Sequence, residues 1–253
     1  MLEVVGLSKT YGTGEKATQA IAEVDFEVRE REFCSVVGPS GCGKTTLLKC
    51  VAGLMRPTGG QAVLRGTAID GPPKDLAVVF QDYNRSLMPW LTVRKNVSLP
   101  LRKKVASQEL NQRTDESLAA VGLEGFEDHF PWQLSGGMQQ RVAIARALAY
   151  RPRILLMDEP FASVDAQTRN ELEDLVLRVR EEFEITMLLV THDIDESVYM
   201  ADRVVVLTRS PTRVRTIFDV ALPQPRDQIS TKTTPEFLKL RTEVYEEIVG
   251  SQA

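Results

Sequence analysis

A glycine-rich segment from Gly38 to Thr45 carries the strongest chemical signal in the sequence. It reads GPSGCGKT, which has the spacing G-x-x-x-x-G-K-[ST], and it joins a predicted strand to a predicted helix. Glycines let the backbone close around phosphate groups with the amide N–H groups pointing inward, and a helix N-terminus adds partial positive charge. In such a loop Lys44 reaches the terminal phosphates, and the hydroxyl of Thr45 can bind Mg²⁺. The segment therefore predicts a nucleoside-triphosphate site.

Two adjacent carboxylates follow an apolar run later in the chain. Residues 154–157 (ILLM) predict a strand buried on both faces, and Asp158 and Glu159 come directly after it. Asp158 can hold Mg²⁺, and Glu159 can orient or deprotonate an attacking water. The alternative is two solvated acids at the end of a strand. Because the sequence also carries a phosphate-binding loop, we favour the catalytic interpretation.

A third motif, LSGGMQQR at residues 134–141, opens a predicted helix. Ser135, Gly136 and Gly137 place small residues and N–H groups at the helix N-terminus, which makes a second anion site. The motif resembles the signature sequence of ABC-type ATPases, and these motifs, in their order and with the further residues below, extend the resemblance over residues 2–222. The resemblance implies that the signature motif meets the γ-phosphate of ATP held by a second copy. Two copies would then close head to tail around ATP.

The resemblance assigns roles to four further residues. Gln81 resembles the glutamine that contacts Mg²⁺ and the attacking water, and His192 resembles the switch histidine that senses the γ-phosphate. Asp165 resembles the aspartate that touches the opposite subunit, although it also fits a plain helix N-cap. Tyr11 stands where the family has an aromatic residue that stacks on adenine, and the alternative is an ordinary loop tyrosine.

These assignments define three sets of candidate site residues, with ATP and Mg²⁺ as the implied ligands. The catalytic set is Lys44, Gln81, Glu159 and His192. The nucleotide-binding set is Tyr11, Gly38, Ser40, Gly41, Cys42, Gly43, Lys44, Thr45, Thr46, Ser135, Gly136, Gly137 and Asp165. The metal-binding set is Thr45, Gln81 and Asp158.

Short apolar runs and helical patterns must position these residues. The predicted strands are residues 21–28, 33–37, 62–65, 77–80, 154–157, 186–190 and 204–207. The runs near the end lack alternation, which is typical of strands in a parallel sheet that is covered by helices. Helices are predicted over residues 45–52 and 166–183, with Asp165 as the N-cap of the second. The pattern indicates an α/β fold.

The sequence also indicates three regions. Residues 1–81 and 151–221 form the ATP-binding α/β core with a β-subdomain, and residues 82–150 form an inserted helical subdomain that carries the signature motif. Residues 222–253 form a C-terminal extension with a short helix, which Thr234 can cap. The resemblance implies a P-loop NTPase fold, namely an ABC-type nucleotide-binding domain with a RecA-like core and an antiparallel β-subdomain.

Composition excludes several classes of protein. The 253 residues are 43% hydrophobic and 26% charged, which is an ordinary globular balance. A net charge of −4 disfavours nucleic acid as a partner. The three cysteines Cys34, Cys42 and Cys50 are too few for a disulfide framework, and strand, loop and helix would aim them apart rather than at one metal. The N-terminus shows no signal peptide, and no apolar stretch reaches the roughly 18 residues of a membrane span.

Finer features resemble the ATPases of nitrate, sulfonate and taurine-type importers: residues 81–83 (QDY), 87–93 (LMPWLTV) and 225–227 (PRD), and Phe161 after Pro160. Arg31 departs from the many relatives that have glycine there. The resemblance implies an ATPase subunit that lies in the cytoplasm on the inner face of the membrane. It would drive an integral membrane permease, which a solute-binding protein would serve. The alternative is a soluble ABC-type assembly ATPase such as those of iron–sulfur biogenesis. A DNA-repair ATPase is disfavoured by the absence of heptads and of basic charge.

The apolar stretch from Tyr83 to Leu91 is the candidate docking surface for that permease. We predict that Met88 and Trp90 form its floor, because an apolar stretch beside an exposed loop favours a partner helix. The alternative is that these side chains cover the core of the helical subdomain itself.

Overall fold

The computed structural model describes residues 1–82 and 86–250. The chain divides into two compact units. Unit 1 comprises residues 1–76 and 186–253, and unit 2 comprises residues 77–185. The predicted assignment of residues 1–81, 82–150, 151–221 and 222–253 to functional regions stays a prediction.

The strands are β1 Leu2–Tyr11, β2 Thr18–Val28, β3 Phe33–Val37, β4 Gly59–Leu64, β5 Thr67–Ala68, β6 Leu76–Val79, β7 Ile154–Asp158, β8 Thr186–Thr191, β9 Arg203–Leu207 and β10 Thr212–Asp219. The α-helices are α1 Lys44–Val51, α2 Val93–Ser98, α3 Ser107–Ala120, α4 Gly136–Ala149, α5 Ala166–Phe183, α6 Ile194–Met200 and α7 Pro235–Gly250. Short 3₁₀ turns cover Gly14–Lys16, Leu99–Leu101 and Pro131–Gln133.

Unit 1 is built on a sheet with the strand order β5-β4-β1-β2-β10-β9-β3-β8. The pairs β1–β2, β1–β4 and β4–β5 are antiparallel, whereas β3 is parallel to both β8 and β9. Every residue of β3, β8 and β9 is buried, as the apolar runs without alternation predict. The antiparallel end and the parallel core of the predicted α/β fold are therefore both present.

Three strands of unit 1, namely β1, the two-residue β5 and β10, were not predicted from the sequence. Strand β1 pairs with β2 through several register shifts, one of them between Val4 and Leu7, and Gly6 lies there with φ 55°. These bulges break the alternation on which a strand prediction depends. Strand β10 has a regular alternation of exposed and half-buried residues after Thr212, so its pattern was a usable signal.

A left-handed residue closes the turn between β2 and β3. Arg31 has φ 61°, and its amide N–H donates to Oγ1 of Thr186 at 2.9 Å. Glycine adopts this backbone region without steric strain, which fits the glycine that the family resemblance implies at this turn. The departure at Arg31 thus affects a turn and no site residue.

Unit 2 combines the adjacent strands β6 and β7 with helices α2–α5. Its core includes Val97, Leu118, Ile144, Leu148 and Val176, each no more than 1% exposed. Between residues 86 and 150 the structure has helices and no strand, in agreement with the predicted helical character of this segment.

The C-terminal extension ends in helix α7, which is 16 residues long. The backbone N–H of Phe237 donates to Oγ1 of Thr234 at 3.2 Å, so the predicted cap is present. Phe237 and Val244 are buried, and Leu240 and Ile248 of the same predicted stripe are half-buried. Within the described residues no helix is both long and apolar enough to span a membrane.

Candidate nucleotide site

The phosphate-binding loop lies between β3 and α1, as the sequence predicts. Gly41 and Gly43 have φ values of 75° and 104°, in the left-handed region that favours glycine. Gly43 is the N-cap of α1 and supplies no side-chain cap. The first amide N–H groups of α1 are therefore arranged for an anion rather than for a capping side chain.

Lys44 folds back over this loop. Its side chain is buried, and Nζ donates to the carbonyl oxygens of Gly38 at 2.8 Å and Pro39 at 3.2 Å. The hydroxyl of Thr212 in β10 donates to the carbonyl oxygen of Cys42 and ties the loop to the sheet. The loop is thus held in shape by its own contacts, with an ammonium group beside it.

Tyr11 lies beside the start of α1. Its phenol oxygen is 3.0 Å from Oγ1 of Thr46 and donates to the sulfur of Met55 at 3.3 Å, and the side chain is 41% exposed. Nζ of Lys9 lies 5.6 Å from its ring centre. The contact with Thr46 therefore orients the Tyr11 ring beside the start of α1. Stacking of this ring on adenine stays a prediction.

His192 directly follows β8 and is exposed. The next residue, Asp193, caps α6, since its Oδ1 accepts from the amide N–H of Glu196 at 3.1 Å. The hydroxyl of Thr191 donates to the carboxylate of Glu196 and accepts from the amide N–H of Asp193 at 3.0 Å. This network fixes the backbone on both sides of His192.

In unit 2, the structure brings together two predicted catalytic side chains. Nε2 of Gln81 donates to Oε2 of Glu159 at 3.3 Å, although the residues are 78 positions apart. Glu159 has φ 44° directly after β7, which is a strained conformation for a non-glycine residue. Asp158 is the last residue of β7 and is 3% exposed.

The signature motif forms the N-terminus of α4. Ser135 is the N-cap, and its Oγ accepts from the amide N–H of Met138 at 3.3 Å. A Cβ atom added to Gly137 would lie 2.4 Å from Cγ2 of Thr168 in α5. The second glycine therefore allows the N-termini of α4 and α5 to approach each other closely.

Asp165 is the N-cap of α5, so the plain capping interpretation is correct. Its Oδ1 accepts from the amide N–H of Thr168 at 3.0 Å, and its Oδ2 accepts from the Thr168 hydroxyl at 2.7 Å. These hydrogen bonds lower the pKa of Asp165. A contact of Asp165 with a second copy stays a prediction.

The candidate residues fall into two groups. Unit 1 contains Tyr11, Thr46, the loop from Gly38 to Thr45 and His192. Within this unit Tyr11 contacts Thr46, beside the end of the loop. Unit 2 contains Gln81, Asp158, Glu159, Ser135–Gly137 and Asp165. That both groups act on one ATP stays a prediction.

The predicted docking stretch has a mixed character. Tyr83 lies outside the described residues. Leu87 is 2% exposed and belongs to the core, Met88 is half-buried, and Trp90 is 71% exposed. The amide of Asn96 holds this stretch, because its Oδ1 accepts from Met88 N–H at 2.8 Å. Leu87 therefore covers the core of its own subdomain, as the alternative interpretation states, whereas Trp90 does not.

Comparison with known proteins identifies the family. The ABC transporter family model matches residues 21–162, and the chain belongs to this family. An uncharacterized ABC transporter ATP-binding protein of Methanocaldococcus jannaschii is 49% identical over 96% of this chain and 89% of its own length. The aliphatic sulfonates import ATP-binding protein SsuB of Bacillus licheniformis is 44% identical over 94% of this chain and 91% of its own length.

A solved structure confirms the fold class. The dimeric structure of a post-hydrolysis state of the ATP-binding cassette MJ0796, bound to ADP and Pi, aligns with a TM-score of 0.75 and 35% identity. The alignment covers 87% of this chain and 99% of that one. The predictions of an ABC-type ATPase and of its nucleotide-binding fold are therefore confirmed.

Some relatives are much longer than this chain. It spans 34% of the nitrate import ATP-binding protein NrtC of Synechococcus elongatus, to which it is 42% identical over 89% of its own length. The predicted resemblance to the ATP-binding proteins of nitrate and sulfonate import is confirmed by these names. The alternative of an iron–sulfur assembly ATPase is not favoured.

Proposed function

We propose that the chain is the ATP-hydrolysing subunit of an importer for a small anionic or polar solute such as nitrate, a sulfonate or taurine. The observation that carries this proposal is the hydrogen bond between Gln81 and Glu159 at the end of a buried strand, in a chain that also has a phosphate-binding loop. The names of the nitrate and sulfonate import relatives support the solute class.

ATP binding falls to unit 1 in this proposal. Lys44 exchanges its contacts with the loop carbonyls for contacts with phosphate oxygens, while the amide N–H groups of α1 surround the phosphates. Tyr11 stacks on the adenine, and His192 contacts the γ-phosphate. Charge-assisted hydrogen bonds of this kind are the strong ones, which makes Lys44 the main anchor.

Hydrolysis depends on Glu159 and its neighbours. The Glu159 carboxylate accepts a proton from the attacking water, and Gln81 orients both. Thr45, Gln81 and Asp158 offer hydroxyl, amide and carboxylate oxygen atoms, a donor set that fits Mg²⁺. Mg²⁺ usually keeps phosphate and water ligands in addition to one or two protein oxygen atoms. When bound, Mg²⁺ neutralises charge on the phosphates.

A second copy completes the site in our proposal. Ser135, Gly136 and Gly137 of one copy meet the γ-phosphate held by the other, so two copies form a head-to-tail dimer around ATP. A solved structure that aligns with 87% of this chain is a dimeric cassette, which supports this arrangement.

We place the chain on the cytoplasmic face of the membrane, bound to a separate integral permease. The names of the nitrate and sulfonate import relatives support a permease partner, and Trp90, which is 71% exposed, is the candidate side chain for that contact. Opening and closing of the dimer would drive the permease, and the permease and a solute-binding protein would select the solute.

Replacing Glu159 with Gln tests the proposal. We expect kcat for ATP hydrolysis to fall by roughly 10²- to 10⁴-fold, because a positioned general base is removed. ATP binding should persist, and light scattering should detect an ATP-dependent dimer. The exposed carboxylate of Glu124 provides the matched control, so Glu124→Gln should leave kcat unchanged. Turnover by Glu159→Gln above a tenth of the original would remove Glu159 from the catalytic role.

A further inference from the structure

The C-terminal extension contacts α6, the helix that follows His192. Guanidinium Nη1 of Arg226 donates to the carbonyl oxygen of Tyr199, near the end of α6. Nζ of Lys232 lies 4.6 Å from the Tyr199 ring centre. Residues 196–200 of α6 are buried, so the C-terminal part of this helix is anchored in the core.

The first turn of α6 is held differently. His192 is exposed and residues 193–195 are half-buried, so burial fixes them less firmly than it fixes the rest of the helix. Here Nε of Arg241 in α7 donates to Oδ1 of Asp195, which forms an ion pair between the two helices. This ion pair joins α7 to the segment that contains His192.

Helix α7 also forms one wall of a cleft beside His192. The cleft has a volume of about 500 Å³ and is lined by residues 192–195 on one side and by Arg241, Thr242 and Tyr245 on the other. The first turn of α6, which follows His192, is therefore open to this cleft on the side that faces α7. The ion pair between Asp195 and Arg241 crosses this side.

We infer that α7 positions His192 through the Arg241–Asp195 ion pair, so that the C-terminal extension tunes ATP turnover. The inference rests on the proposed role of His192 at the γ-phosphate. Arg241 holds Asp195, Asp195 belongs to the first turn of α6, and Asp193 caps that turn one residue after His192. Arg241 is thus a positioning residue, because it acts through the backbone of α6 and touches no nucleotide.

The ion pair can be removed without unfolding the chain. The side chains of Arg241 and Asp195 are 52% and 44% exposed, and exposed pairs contribute little to global stability. Helix α7 supplies a matched control, since Glu247 pairs with Arg215 of β10 and not with α6. Arg215→Gln removes one ion pair of α7 but leaves the contact with the first turn of α6.

We expect Arg241→Gln to lower kcat by roughly 3- to 10-fold with an unchanged KM for ATP and an unchanged midpoint of thermal unfolding. Asp195→Asn should have the same effect, and the double variant should lose no more than either single variant. Arg215→Gln should stay within about twofold of the original kcat. In a His192→Ala background, Arg241→Gln should cause no further loss.

Two results would overturn the inference. An unchanged kcat in Arg241→Gln would show that the pair does not position His192. Equal losses in Arg241→Gln and Arg215→Gln would show that only the general docking of α7 matters. A His192→Ala variant with full activity would instead refute the proposed role of His192, and this result separates the two failures.

Discussion

The chain has two helix N-termini that we propose as phosphate-binding sites, and they are built differently. At α1 the N-cap is a left-handed glycine without a side-chain cap, and Lys44 is the first residue of the helix. At α4 the N-cap Ser135 caps its own helix, and the first turn carries no charge. The first site offers amide groups and a cation, whereas the second offers amide groups partly satisfied by a hydroxyl.

This difference indicates a division of work. A site with a cation and uncapped amides can hold a triphosphate by itself. A self-capped helix without charge attracts an anion weakly, through the helix dipole alone. Its contribution becomes decisive when the phosphates are already bound elsewhere, as in our proposed dimer.

Removing the defining side chain of each site should separate binding from turnover. We expect Lys44→Ala to weaken ATP binding by roughly 100-fold, because it removes charge-assisted hydrogen bonds. Ser135→Ala should leave the affinity of the single chain within about threefold and lower kcat by roughly 10- to 100-fold. Calorimetric ATP titration and steady-state hydrolysis measure the two effects. Comparable loss of affinity in both variants would mean that the two sites do not differ as described.

Replacing a glycine with alanine should lower the stability of the fold at both sites, but for different physical reasons. Gly137→Ala should destabilise the fold by about 1–3 kcal/mol, because the new Cβ would overlap Cγ2 of Thr168. Gly41→Ala meets no atom within 4 Å, so only its φ of 75° opposes it, at about 1–2 kcal/mol. Urea unfolding measures both changes.

A second substitution distinguishes overlap from strain. Thr168→Ser removes Cγ2 but keeps the hydroxyl that binds Asp165. It should recover most of the stability lost by Gly137→Ala and none of that lost by Gly41→Ala. Equal recovery in both would contradict the steric explanation.

The smallest expected effect concerns the thiol of Cys42, in the loop before α1. The N-terminus of α4 has no cysteine. Burial raises the pKa of Cys42, although the Lys44 charge opposes this rise. A raised pKa leaves less thiolate at a given pH, so iodoacetamide should react slowly at pH 7. The rate should still be climbing at pH 9, whereas an exposed cysteine levels off above a pKa of about 8.5.

ATP should protect Cys42, and alkylation should inactivate the protein. Peptide mass mapping separates Cys42 from the other two buried cysteines, Cys34 and Cys50. Rapid labelling at pH 7 that ATP does not slow would place the thiol away from the nucleotide.

The sequence predicts the site residues well where chemistry fixes their spacing. The loop from Gly38 to Thr45 lies between β3 and α1, and Asp165 caps α5 as expected. Each of these features depends on residues that are neighbours in the chain. Local sequence patterns are sufficient to detect them.

Features that join distant residues could not be predicted. The family resemblance assigned a role to Gln81 but no hydrogen bond with Glu159, and no sequence pattern indicated the ion pair of Arg241 with Asp195. Strand β1 was missed because its bulges disturb the alternation. Leu87 and Trp90 show the same limit, because the apolar pattern of this stretch does not tell the buried side chain from the exposed one.

At Glu159 the left-handed backbone conformation lowers stability, whereas the side chain serves the proposed activity. Glycine would relieve the strain at φ 44°, by about 1 kcal/mol, and would remove the carboxylate that our proposal makes the general base. A selection for heat resistance alone would therefore favour an inactive protein at this position. Directed evolution of a more durable version should hold residue 159 fixed and seek its gains at turns such as Arg31, where the same conformation serves no chemistry.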